Sequence, residues 1–167
     1  LSIRKNWVRE AAVHAPFPID IYLLNTSKPK DFDRWLGEKH DFKWLVVGVE
    51  SLASGSAAAL TERFLLSGIK TILVVDESSK IKNSKAARAE ACISLARKAE
   101  TRIIMTGTPI ANGPMDLFMQ FEFLDPDIIG MGDFYSFRNR YAVMGGYEDK
   151  QVVGYQNLEE LMEIIEP

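Results

Sequence analysis

The sequence has a single cysteine, Cys92, and no apolar run of 18 or more residues. One thiol cannot build an internal disulfide framework, which excludes the small disulfide-rich secreted classes and favours a reducing, intracellular location. That location would be the cytoplasm of a bacterium or phage-infected cell, or the nucleus of a eukaryote. A membrane-spanning helix needs about 20 consecutive apolar residues, so we expect no contact with a membrane. Cys92 lies in an alanine-rich segment and is predicted to be a small core residue.

The sequence also has little excess charge and only two histidines. Its formal net charge is −3, which gives no overall signature of nucleic-acid binding, so any contact with DNA must come from local patches. His14 and His40 have no Cys, His or Asp partner at ligand spacing along the chain. We therefore predict no zinc site.

A phosphate-binding loop of the form G-x-x-x-x-G-K-[ST] is missing from the sequence. Residues 68–71 (GIKT) look superficially similar, but no glycine stands directly before the lysine and an apolar strand follows instead of a helix. The chain begins at Leu1 without an initiator methionine and ends at Pro167, directly after a helical pattern. We expect it to be a segment of a longer protein.

Helical and extended patterns alternate along the chain, which is typical of an α/β fold with a mainly parallel sheet. The sequence predicts strands at residues 19–24, 44–49, 71–75 and 102–105, and helices at 6–14, 29–40, 52–66, 84–99 and 114–124. From about residue 125 the sequence becomes rich in glycine and aromatic residues. We predict a domain over residues 1–125 and an appended segment over 126–167, with a hairpin at 143–155 and a last helix opened by a capping box of Asn157 and Glu160.

Two apolar runs in the middle of the chain each end in a polar cluster. Residues 72–75 lead into the acidic pair Asp76–Glu77, and residues 103–105 lead into the turn 106–109 (TGTP). Parallel sheets hold ligands at the carboxyl ends of their strands, so these two clusters are expected to meet. An acidic pair after a strand is the form of a Mg²⁺ and ATP site in P-loop ATPases, although alone it is equally typical of the first turn of a helix.

Residues 74–83 (VVDESSKIKN) resemble motif II of the Swi/Snf-type superfamily II helicase-like ATPases. Residues 105–112 (MTGTPIAN) are similar to motif III of that family, residues 6–10 (NWVRE) to motif Ia and residues 46–52 (VVGVESL) to motif Ib. Motifs II and III are specific individually, whereas Ia and Ib gain weight from their order and spacing. The resemblance covers nearly the whole chain. It implies a RecA-like three-layer α/β/α fold, incomplete here because the phosphate-loop strand and helix are missing.

The resemblance implies roles for the residues of motif II. Asp76 would coordinate Mg²⁺ through water, and Glu77 would orient the water that attacks ATP. Ser79 would also face the nucleotide, but it stands where the family usually has a histidine. A hydroxyl can hydrogen-bond to motif III, yet it has fewer ways to relay the state of the nucleotide.

The other motifs would connect ATP to DNA. The family implies that Thr106, Gly107, Thr108 and Asn112 couple the nucleotide site to the DNA path. These residues also suit an ordinary strand-ending turn, and Asn112 could simply satisfy backbone donors of the next helix. For the DNA backbone the candidates are Asn6, Trp7, Lys80 and Lys82. Their alternative roles are capping and anchoring of the first helix and ordinary solvated surface charge.

These observations together favour part of a DNA-dependent ATPase that moves along double-stranded DNA without separating its strands. Its second RecA-like domain, which carries the arginine finger in this family, would be a partner in the same polypeptide. The chain by itself would hydrolyse ATP poorly, because its phosphate cradle is missing. A non-enzymatic DNA- or protein-binding module of the same fold is the alternative. A strand-separating helicase is disfavoured by the box DESS followed by KIKN and by the TGTP-x-x-N form of motif III.

Overall fold

The computed structural model describes residues 2–166. Helices and strands alternate through the first three quarters of the chain, and an antiparallel hairpin framed by short helices follows. The α-helices are α1 (Ser2–His14), α2 (Pro29–Gly37), α3 (Gly55–Leu65), α4 (Ala87–Ala96), α5 (Leu117–Leu124), α6 (Pro126–Ile129), α7 (Phe134–Tyr141) and α8 (Leu158–Ile165). The strands are β1 (Asp20–Leu23), β2 (Lys43–Val46), β3 (Ile72–Asp76), β4 (Thr101–Met105), β5 (Ala142–Gly145) and β6 (Gln151–Tyr155). The predicted mixed α/β fold is confirmed.

The parallel strands form two short sheets. β1 pairs with β2, with Asp20 opposite Lys43, and β3 pairs with β4, with Asp76 opposite Met105. The predicted strand at 44–49 is shorter than expected, because the chain turns into a 3₁₀-helix at Val49–Ala53. In the β3–β4 register, the acidic pair and the TGTP turn leave adjacent strands at the same level.

A hydrophobic core joins the parallel strands to the helices around them. Aromatic side chains of α2 fill one part of it, where Phe32 is fully buried and Trp35 stacks on Tyr22 and Phe64 with ring centroids 5.1 and 5.6 Å apart. Cys92 is buried in α4 as predicted, and this burial raises the pKa of its thiol to about 11. A neutral buried thiol acts as a small apolar side chain.

One face of the β3–β4 sheet packs into the core and the other is open in the described part of the chain. Val75 is buried, whereas Ile72, Val74, Ile103 and Met105 alternate with it on the exposed face. Alternation of this kind follows from the two-residue period of a strand.

The segment after residue 125 shares the core of the preceding residues. Phe137 and Tyr141 of α7 are fully buried and belong to the same cluster as Leu117 and Val75. The hairpin β5–β6 confirms the predicted turn near Glu148. The division of the chain at residue 125 stays a prediction.

The predicted capping box at the last helix is wrong. Asn157 has a left-handed backbone (φ 54°), and its side-chain amide donates to the Arg140 carbonyl at 2.8 Å instead of capping α8. The Glu160 carboxylate pairs with the Arg140 guanidinium and accepts a hydrogen bond from the Tyr141 hydroxyl at 3.0 Å. These contacts fasten α8 to α7.

Candidate functional site

The acidic pair lies on a tight turn at the end of β3. Asp76 is the last residue of the strand, and Glu77 adopts a left-handed backbone with φ 61° and ψ 65°. A short 3₁₀-helix, Ser78–Ile81, follows, and both of its end residues are fully buried. A left-handed conformation at a residue other than glycine costs about 1–3 kcal/mol and persists where the surroundings enforce it. The buried turn therefore aims two exposed carboxylates outward at the strand end.

Asp76 has a partner that sequence reasoning missed. The indole N–H of Trp7 in α1 donates to Oδ2 of Asp76 at 3.1 Å. Trp7 packs edge-on against Trp44 of β2, with ring centroids 5.6 Å apart. The two tryptophans bring α1, β2 and the end of β3 together. No described residue donates a hydrogen bond to Oδ1 of Asp76.

Glu77 is bonded to the turn that follows β4. The hydroxyl of Thr106 donates to Oε1 of Glu77 at 3.0 Å, and the Thr108 amide donates to the Thr106 hydroxyl oxygen at 3.1 Å. Hydrogen bonds from the Ser79 and Thr106 hydroxyls hold the pKa of Glu77 below its ordinary value. The Glu77 side chain is exposed, and because its pKa is lowered it is ionised at neutral pH. We call the end of β3 with Asp76 and Glu77, together with the turn 106–108, the acidic edge.

These groups suit a magnesium ion. Carboxylate oxygens and water are the ligands that Mg²⁺ prefers, and it commonly keeps several of its waters when one or two carboxylates hold it. Asp76 and Glu77 present exposed carboxylates on consecutive residues at the carboxyl end of a parallel strand. The donor set thus fits Mg²⁺, with Asp76 as the residue that would hold it.

A second layer of contacts lies beneath the acidic edge. The Lys82 ammonium donates to the Thr108 carbonyl at 2.8 Å and to Oδ2 of Asp116 at 3.2 Å. The same Asp116 oxygen accepts from the backbone amides of Ala111 and Asn112 at 2.8 and 2.9 Å. Burial by itself would raise the pKa of Asp116, but the two amides and the ammonium outweigh it and lower that pKa.

The two lysines expected to contact DNA lie in different surroundings. Lys80 is exposed, as expected for a surface charge. The expectation of an exposed Lys82 is wrong, because its side chain is only 9% exposed and its ammonium is occupied by Asp116 and Thr108. Asn6 is exposed on α1, and Trp7 contacts Asp76 as described above.

The loop that contains Asn112 is held from two sides. The backbone amide of Asn112 donates a hydrogen bond to Asp116, and the Asn112 carbonyl accepts one from the Tyr155 hydroxyl of β6 at 3.1 Å. Gly113 has φ 141°, and a Cβ atom there would lie 2.0 Å from the Tyr155 hydroxyl. The backbone donors before α5 are satisfied by Asp116, and Asn112 contributes its own amide to that arrangement. Gly107 and Thr108 are exposed.

A separate group of possible metal ligands lies at the amino end of β1. One oxygen each from Asp20 and Glu38 and one nitrogen of His40 lie within 4.8 Å of one another. His40 has no Cys, His or Asp partner at ligand spacing along the chain, but the fold brings two carboxylates to it, and its Nε2 is 3.5 Å from Asp20 and 3.7 Å from Glu38. We call these three residues the His40 cluster. Its side chains are partly exposed, and its contacts are those of an imidazole lying between two carboxylates.

Within residues 2–166, no helix combines the length and the apolar character needed to cross a membrane.

The chain has recognisable relatives among known proteins. All of it, residues 1–167, matches the profile of the SNF2-related domain. DNA repair and recombination protein RDH54 of Saccharomyces cerevisiae is 28% identical over 146 residues, which cover 83% of this chain and 15% of that protein. Human DNA repair and recombination protein RAD54B is 34% identical over 122 residues, 65% of this chain and 13% of that protein. Mouse DNA annealing helicase and endonuclease ZRANB3 is 32% identical over 99 residues, 56% of this chain and 9% of that protein.

Proposed function

The chain belongs to the family of SNF2-related domains, and on that premise we propose that it carries the catalytic acidic pair and the coupling turn of a DNA-dependent ATPase. The observation that carries this proposal is the hydrogen bond between Thr106 and Glu77, which joins motif III to motif II at the ends of paired parallel strands. Because the chain spans only 9% to 15% of the relatives described above, the activity is proposed for a longer protein.

ATP and Mg²⁺ are the proposed cofactors. Asp76 would hold Mg²⁺ through water, and the ion would neutralise charge on the phosphates. Glu77 would orient the attacking water, a role that suits a group kept ionised by the Ser79 and Thr106 hydroxyls. The Trp7 indole would fix the direction of the Asp76 carboxylate through their hydrogen bond.

The turn after β4 is the proposed coupling element. Thr106 contacts the catalytic carboxylate, and the Thr108 carbonyl and the Asn112 amide are bonded to the Lys82–Asp116 pair. Gly107, between the two threonines, adds no side chain of its own to this turn. A displacement of the turn would therefore reach both Glu77 and the start of α5.

Double-stranded DNA is the proposed macromolecular partner, with movement along the duplex driven by closure against a second RecA-like domain of the same polypeptide. The names of RDH54 and RAD54B as DNA repair and recombination proteins support DNA as the partner. Exposed Lys80, and Asn6 on α1, are the residues proposed to reach phosphates. Lys82 already has internal acceptors, and we assign it to holding the turn. The location would be intracellular, and nuclear in a eukaryote.

The test compares two polypeptides in an ATP hydrolysis assay with and without duplex DNA. One is the 167-residue chain, and the other joins it to a glycine-rich phosphate loop and a second RecA-like domain. We expect DNA-stimulated turnover only in the longer polypeptide. Binding of DNA without turnover in the longer polypeptide would instead support the non-enzymatic binding module, and turnover by the short chain would contradict our account of the phosphate cradle.

A further inference from the structure

We propose that Gln120 of α5 is a positioning residue of the ATP site, which clamps the turn after β4 onto Ser78 and so holds Glu77 in its left-handed conformation. This inference rests on the proposed function and adds a residue to it. Gln120 does not touch the acidic pair itself. It acts through Ser78, the residue next to Glu77 in the chain.

The Gln120 side chain joins three parts of the molecule. Its Oε1 accepts a hydrogen bond from the Ser78 hydroxyl at 2.6 Å. Its Nε2 donates to the carbonyl of Pro109 at 2.8 Å and to the carbonyl of Asp116 at 2.9 Å. The orientation of the amide follows from these partners, because a flipped amide would place its oxygen against two carbonyl oxygens. One side chain thus connects motif II, motif III and the start of α5.

Burial makes these contacts hard to replace. Gln120 is 1% exposed and Ser78 is fully buried, so neither can exchange its partner for water in the folded state. A buried polar group that loses its partner carries the full cost of its desolvation. Gln120 and its contacts with Ser78 and Pro109, which we call the clamp, are therefore held in one arrangement. The geometry of the clamp limits the distance between Pro109 and Ser78.

The position of Ser78 fixes the backbone on which Glu77 stands. Glu77 has φ 61° and needs an external constraint to remain there, since this region is unfavourable for a residue with a Cβ atom. The hydroxyl bond to Gln120 and the full burial of Ser78 supply that constraint on one side. The Thr106 bond to Oε1 supplies it on the other. Removal of the clamp would free Glu77 to relax and would leave the attacking water poorly oriented.

The test uses Ser78→Ala and Gln120→Met in the longer polypeptide of the proposed function. Each variant removes the hydroxyl–amide bond with little change in volume. The matched control is Thr61→Ala, because the buried Thr61 hydroxyl donates to the Ala57 carbonyl at 2.9 Å in α3, away from the acidic edge. All three changes should lower the thermal unfolding midpoint. Only Ser78→Ala and Gln120→Met should lower kcat, by about tenfold or more, with the KM for ATP changed by less than about twofold.

A second readout needs no activity. NMR spectra of the 167-residue chain report the backbone conformation of Glu77 through its coupling constant and chemical shifts. These values should move out of the range of a left-handed backbone in Gln120→Met and should remain within that range in Thr61→Ala. Wild-type kcat in Ser78→Ala and Gln120→Met would overturn the proposal, as would an equal loss in Thr61→Ala. Glu77→Gln separates this from a failure of the proposed function: if it is inactive while Gln120→Met is normal, only the positioning role fails, and if it is active, the proposed function fails.

Discussion

The acidic edge and the His40 cluster contain similar chemical groups, but the protein holds them in different ways. In the acidic edge, Asp76 and Glu77 accept hydrogen bonds from α1 and from the turn after β4, and buried contacts support that turn from below. In the His40 cluster the described ion pairs run between the imidazole and its own two carboxylates. The same residue types are therefore fixed by neighbouring elements in one region and largely by one another in the other.

The largest effect is expected from removal of the carboxylate beneath the acidic edge. Asp116→Asn would leave the Lys82 ammonium buried without its counter-ion. We therefore expect the free energy of unfolding, measured in urea, to fall by about 2–4 kcal/mol. The matched change in the other cluster, Asp20→Asn, removes a partly exposed partner of His40 and should cost less than about 1 kcal/mol. Equal losses in the two variants would remove the distinction between the regions.

The pH dependence of the Asp116 effect has a defined sign. Its pKa is lowered in the folded protein, so the stability it contributes is present above the unfolded value, about 3.9, and disappears as the pH falls through the folded value. The difference in unfolding free energy between wild type and Asp116→Asn should therefore narrow on acidification below about pH 4.

A smaller effect is expected from the hydroxyl that contacts Glu77. Thr106→Val removes one of the donors that lower the Glu77 pKa, so the acid limb of the pH profile for kcat should move to higher pH. Thr108→Val is the control, because the bonds of Thr108 in this region come from its backbone. An unchanged acid limb in Thr106→Val would mean that this hydrogen bond does not set the ionisation of Glu77.

The effect on DNA binding should also differ between the two ends of β3. Lys80 is exposed just after the acidic pair, whereas Lys70 is 92% exposed in its side chain before the amino end of the strand. Lys80→Ala should reduce the slope of log K against log salt by about 0.9, the value for one phosphate contact, while Lys70→Ala leaves it unchanged. If fluorescence anisotropy titrations gave the same slope for Lys80→Ala as for the wild type, Lys80 would not contact a phosphate.

The smallest effect is expected from His40→Gln. The imidazole is partly exposed and contacts only carboxylates of its cluster among its described ion pairs, so DNA-stimulated turnover should stay within about twofold of wild type. The same assay on Glu77→Gln, in which turnover should be lost, provides the comparison. A loss of turnover in His40→Gln that approaches the loss in Glu77→Gln would show that the amino end of β1 takes part in the activity.

Much of the fold, and the contact between motifs II and III, could be predicted from the hydrophobic periodicity of the sequence and from the polar residues at the ends of the strands. Runs such as residues 72–75 and 103–105 identify strands, although one face of this pair is exposed, and parallel pairing then brings Glu77 to Thr106. Residue type identified the acidic pair and the turn without any knowledge of their partners. These features depend on local sequence or on the geometry common to parallel sheets.

Contacts between distant residues could not be predicted in this way. Trp7 and Asp76 are 69 positions apart, and Ser78 and Gln120 are 42 apart, so no local pattern links them. Lys82 was expected on the surface because lysine is seldom buried, and its burial depends on Asp116, 34 positions away. Asn157 and Glu160 matched a capping box, but Arg140 and Tyr141 offered stronger partners.

The most direct test of the central claim is a comparison of ATP binding and ATP hydrolysis by Glu77→Gln in the longer polypeptide with duplex DNA present. In the proposed site Glu77 orients the attacking water and Asp76 holds the metal. We therefore expect Glu77→Gln to bind Mg²⁺-ATP with about the wild-type affinity while turnover is lost, by about a hundredfold or more. Turnover near the wild-type rate would contradict the proposal, because the acidic edge would then not contain the group that activates water.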